Sequence, residues 1–141
     1  MTHTAGGRPL GGIRRLASTE RGAAALEFAV VLPLLVLLVF GIVQFGFAFW
    51  RLQAVQAAAR EGARIASLSQ TTVQQIEVRV EDALTGVTLD GPVVVSVDPG
   101  VCQNRSGEAV RVIVETGMTV EIPLAGSWPV DLTGEGEFRC E

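Results

Sequence analysis

The chain has no lysine, and its one histidine, His3, lies near the N-terminus. With no other histidine, a Ser-His or Cys-His nucleophilic pair cannot form in the rest of the chain. Without lysine, no glycine-rich loop carries the base that a phosphate-cradling loop uses. Cysteine is nearly absent too: Cys102 and Cys140 alone, with no histidine beside them, cannot furnish a structural zinc shell. A net charge of −4 speaks against a basic nucleic-acid footprint. Asp90, Asp98 and Asp131 stand in turn-like contexts, where aspartate serves the backbone. The carboxylate spacing shows no hydrolase pair. Catalytic residues, cofactor ligands and metal ligands are all missing from the pattern, and the chain reads as a non-enzyme.

Charge is missing over one long stretch. From Phe28 to Trp50 there is no ionisable side chain, and Gln44 is the one strongly polar residue. As a helix, that run is about 35 Å long, enough to cross a bilayer with some tilt. So long an uncharged run in a chain of 141 residues argues against a buried soluble helix. Trp50-Arg51 closes it with the aromatic and base expected at a membrane interface. Pro33 removes one backbone bond near its start, which predicts a kink or local loosening. Gly41 and Gly46 offer close-approach points for another helix. Arg8, Arg14, Arg15 and Arg21 precede the run, against Glu20, and Arg51, Arg60 and Arg64 follow it, a slight bias toward a cytoplasmic N-terminus.

The basic leader is not an ordinary secretion signal. Such a signal has a short apolar stretch followed by small residues at the cleavage site. Here the small residues, Gly22 to Ala25, come before the apolar stretch. Cutting between Gly22 and Ala23 would leave the hydrophobic helix on the mature protein with a free amine at Ala23. Glu27 then lies one turn deeper. A carboxylate there bears part of the roughly 2.5–3.5 kcal/mol that a charge costs at helix centre. An amine, its own or a neighbouring subunit's, offsets that cost, and a neighbour's would set the register between stacked helices. The bland alternative is that Glu27 only reaches back to water at the headgroups.

Gly22, four residues, then Glu27 and an aromatic at Phe28 resemble a prepilin-type (class III) signal. The longer run from Arg21 to Ser67, with Pro33 six residues after the acid and Ala-Ala-Arg-Glu-Gly-Ala-Arg beyond the membrane, is similar to TadE-like proteins, pseudopilins of the tight-adherence (Tad/Flp) pilus system. The resemblance implies cleavage after Gly22 by a membrane aspartyl prepilin peptidase. It implies partnership with other pilin-like subunits, a membrane assembly platform and a secretion ATPase, in the cytoplasmic (inner) membrane. Phe28 stands where major Flp pilins usually have tyrosine, and the chain exceeds a bare helix; both point to a minor pseudopilin. The competing reading is a single-pass anchored extracytoplasmic binding module whose leader is never cut.

The expected domains are a basic leader (1–22), a transmembrane and extended helix (23–68) and a small extracytoplasmic α+β domain (69–141). The helix continues outward through alanines that let another backbone approach, with Arg60, Glu61 and Arg64 on its outer face. Thr72 and Gln75 form a capping box. Val73, Ile76, Val80, Ala83 and Leu84 make one apolar stripe of a second amphipathic helix, ended by Gly86 and laid on a small antiparallel sheet of roughly three or four strands. Val93 to Val97 and Val110 to Glu115 read as strands, Gly117 as a bulge or turn before Thr119 to Ile122, and Pro123 to Pro129 as a loop with Trp128 under the sheet edge. In the last strand Leu132, Gly134, Gly136, Phe138 and Cys140 share the buried face, the glycines leaving room for Trp128 or the second helix. An even cysteine count outside the cytoplasm favours a Cys102–Cys140 bridge over two free thiols.

Overall fold

The computed structural model describes residues 16–122 and 126–141, with side chains from Gly22 onward. The expected leader therefore lies largely outside the described residues, as do His3, Arg8, Arg14, Arg15 and the loop positions 123–125. Five elements follow in order: α1 (Leu16–Ala66), α2 (Val73–Ala83), β1 (Val94–Asp98), β2 (Ala109–Ile122) and β3 (Gly126–Arg139). They form an α+β fold. The chain divides into a first compact unit that ends at Val39 and a second from Phe40 to Glu141.

In the first unit the described chain is helix alone. The described helix already covers Leu16, ahead of the expected start at Ala23. Pro33 lies inside α1, where it removes one backbone donor without ending the helix.

The second unit is built on the remainder of α1. Its alanines do what small residues allow. Val55, Ala58, Ala59, Ala63 and Ala66 are buried together with Ile76, Val80 and Leu84 around α2 and with Val110, Val112 and Val114 of β2. The capping box at Thr72 and Gln75 is present, with Thr72 Oγ1 accepting from the Gln75 N–H and Gln75 Oε1 accepting from the Thr72 N–H. At Gly62 a side chain would meet Val80 and Val112, so this glycine lets α1 approach both α2 and the sheet. The α1 helix ends at Ala66, a little short of the expected Leu68, as the Ser67 N–H bonds Ala63 O and the chain turns toward α2.

The sheet has order β1-β2-β3, antiparallel throughout. One face is dry and the other wet, as the alternation predicts. Three local expectations are corrected. Gly117 is neither bulge nor turn: β2 runs through it, paired with Asp131, and the chain before β1 crosses there, with the Asp90 N–H donating to Gly117 O. The segment from Gly126 to Pro129 is strand, not loop, because it pairs with Thr119 to Ile122 and extends the hairpin. Trp128 is accordingly not packed under the sheet edge but 46% exposed.

The third correction is larger. Gly134 and Gly136 make room for neither Trp128 nor α2. They face the backbone of α1. A Cβ at Gly134 would lie 2.5 Å from Val55 O, and one at Gly136 would lie 2.5 Å from Ala59 O. Gln56 completes this contact. Its side-chain amide donates to Thr133 O at 3.2 Å, and its carbonyl accepts from the Glu135 N–H. At Thr133 and Glu135 the outer edge of β3 is thus bonded by the helix rather than open to another strand. Phe138, on the same face, sits at the end of the strand and is 40% exposed.

Candidate functional site

Among the described residues no group of three or more His, Cys, Asp or Glu is placed to hold a metal ion. The segment from Gly22 to Ala66 contains a stretch long and apolar enough to cross a membrane. Gly22, Ala23, Glu27 and Phe28 all lie on its exposed surface, Phe28 at 63%. Glu27 follows Ala23 by one helical turn, so the two stand on neighbouring positions of one face. A Cβ built at Gly22, Gly41 or Gly46 meets nothing within 4 Å, and Phe45 beside them is 74% exposed. Apolar residues exposed in this quantity require lipid or partner helices. Trp50 is also exposed, at the end of the uncharged run.

Farther along, the helix surface becomes ionic. Glu61 is the hub of a three-residue cluster rather than decoration. Arg64 donates to both of its carboxylate oxygens at 3.0 Å, and Arg79 of α2 donates twice to Oε1, at 3.0 and 2.9 Å. Those bonds hold the Glu61 carboxyl at about 2, well below the carboxylate range, with Arg64 the larger cause and Arg79 next. Because the folded value is depressed, the stabilisation is present above the ordinary carboxylate range and lost as pH falls toward 2. The cluster is partly wet, so its worth is about 1 kcal/mol or less. Glu61→Gln is expected to lower thermal stability slightly at pH 7. The gap from wild type should close as pH approaches 2, in melts of both proteins across that range. Sequence spacing reveals the Glu61–Arg64 pair; Arg79 joins it only through the packing of α2 on α1.

On the wet face of the sheet, Arg111 Nε reaches Glu135 at 2.7 Å and its Nη2 reaches Glu137 at 3.1 Å. Both raise the guanidinium's proton affinity, chiefly through the Glu137 bond. At the far end of the sheet, Cys102 and Cys140 are joined in a disulfide with their Cα atoms 5.4 Å apart. The bridge ties the end of β3 to the loop after β1. The polar loop from Gln103 to Gly107 closes back on it, the Gly107 N–H donating to Cys140 O and the Cys140 N–H to Glu108 O.

Among the described residues one helix is long and apolar enough to anchor the chain in a membrane, and its last part packs into a small disulfide-closed α+β domain. The family described as TadE-like protein matches residues 22–64, which is most of α1. Over that helix the chain is similar to TadE-like proteins, in the stretch that holds Gly22, Glu27, Phe28 and the segment around Arg60 to Arg64. No curated protein and no solved structure matches the chain.

Proposed function

We propose that this protein is a minor pilin-like subunit, a pseudopilin, that acts in assembly of a Tad/Flp-type pilus. The observation that carries this reading is the coincidence of the TadE-like segment, residues 22–64, with a helix whose apolar surface around Glu27 and Phe28 is exposed. A prepilin peptidase cuts between Gly22 and Ala23. The new α-amine at Ala23, largely protonated near neutral pH, neutralises Glu27 of its own or a neighbouring helix. Lateral packing then proceeds through Phe28 and the open positions at Gly41 and Gly46, against other pilin-like helices and the membrane platform. The protein sits in the cytoplasmic membrane, single-pass, with its N-terminus cytoplasmic. Its disulfide fits a domain on the oxidising side. Its role is structural rather than catalytic.

Mass spectrometry of the N-terminus, on protein taken from its native membrane, tests this. A mature chain beginning at Ala23 is expected, with Met1 retained when the peptidase is removed. An intact leader in cells with a working assembly would overturn the reading and leave an anchored extracytoplasmic binding module.

A further inference from the structure

Subunit packing leaves Gln44 and Arg51 without a task. Gln44 is the one strongly polar side chain between Phe28 and Trp50, and Arg51 is the first base beyond them. In the structure both line one crevice with Phe47 of α1 and with Asp90, Thr119 and Glu121 of the outer domain. All six belong to the unit that starts at Phe40. The crevice has a volume of about 480 Å³, within the range of small-ligand sites.

Its electrostatics are incomplete. The Nε of Arg51 is buried and, among the described residues, has no hydrogen-bond partner. Arg51 also belongs to none of the ion pairs formed by Glu61, Glu108, Glu135 and Glu137. A buried donor left unmade is costly, so this position favours an acceptor from outside the chain. Asp90 Oδ2 accepts from the Thr119 N–H, and Glu121 joins no ion pair among the described residues. A guanidinium whose Nε lacks a partner among the described residues therefore shares the crevice with two carboxylates.

The position narrows the ligand further. Gln44 and Phe47 lie within the uncharged run, so the crevice stands where the helix leaves the hydrocarbon and headgroups begin. A ligand here needs an anionic group for Arg51 and, beside it, a cation with N–H donors for Asp90 and Glu121. A purely anionic lipid would set its charge against the two acids. A quaternary ammonium has no N–H to donate. We propose that this crevice binds the phosphoethanolamine headgroup of a phospholipid, the phosphate on the Arg51 guanidinium and the primary ammonium on Asp90 and Glu121. Arg suits the phosphate because its planar fork donates in parallel. Gln44 bonds the ester and glycerol oxygens beneath. The site rests on the membrane-anchored part of the proposed function, and does not depend on cleavage or on pilus partners.

The test is native mass spectrometry of the full chain in detergent. The probe is an equimolar mixture of ethanolamine, choline and glycerol phospholipids of matched acyl chains. Wild type is expected to retain the ethanolamine lipid about tenfold over either competitor, the effect of one charge-assisted contact made or lost. Arg51→Gln should abolish retention of all three. Glu121→Gln, at an exposed position that leaves the fold intact, should keep phosphate binding but erase the preference over choline. Equal retention of the three lipids by wild type, a preference for the glycerol lipid, or unchanged selectivity in Glu121→Gln would each overturn the proposal. Carbonate extraction of the same protein from native membranes separates the two failures. A chain released by carbonate refutes the membrane reading itself, whereas an embedded chain without lipid preference refutes only the headgroup site.

Discussion

Gly136→Ala is expected to destabilise the outer domain by about 3 kcal/mol, at the upper end of what overpacking a filled interior costs. The added carbon would fall 2.5 Å from Ala59 O, 2.6 Å from Arg60 Cα and 2.7 Å from Ala59 C. All three are backbone atoms, so no side chain can rotate away, and relief requires the whole helix to move off the sheet. That movement would also break the Gln56 bonds to Thr133 and Glu135. The expected result is a melting temperature lower by roughly 10–20 °C for the full chain in detergent. Gly41→Ala is the control, because nothing lies within 4 Å of its added carbon. It should leave the melt unchanged. A Gly136→Ala protein that melts with wild type would mean the helix does not lie against β3 as described.

The second large effect is expected from the disulfide. Cys102 and Cys140 are 38 positions apart, and closing a loop of that size contributes about 4 kcal/mol in the chain-entropy account. The small sheet, with Val110, Val112 and Val114 as its central apolar row, has little else to offset such a loss. Cys102→Ser with Cys140→Ser, or reduction of the wild type, should lower the melting temperature by roughly 15–30 °C. Reduction must leave the double serine variant unaffected. Equal melts with and without reductant in wild type would show that the bridge closes no costly loop in the unfolded chain.

Much of this architecture is legible along the chain because it is written in local signals. The valines at 110, 112 and 114 alternate with period two and bury as they should. Thr72 and Gln75 announce a helix start three residues apart, and the start is there. The TadE-like segment carries its own signature between Gly22 and Arg64. What sequence could not show were contacts between elements far apart in the chain. The glycines at 134 and 136 plainly ask for a close neighbour, but nothing nearby says which one. The answer, the backbone at Val55 and Ala59, lies beyond one helix and two strands. Arg79 meeting Glu61 is hidden for the same reason. Pro123 and Pro129 read as loop punctuation, which hides the strand that carries Trp128. Pro129 instead lies opposite Thr119 on the edge strand, where a missing N–H is tolerated.

Gln56 and the alanines around it also bear on how this protein is best divided for study. The stretch from Leu52 to Ala66 is at once the tail of the anchoring helix and the lid of the sheet. A soluble fragment cut at the turn after Ser67 would expose the valine row and the unprotected edge of β3 to water and to its own copies. A fragment that begins near Leu52 keeps the lid while leaving the lipid-seeking run behind.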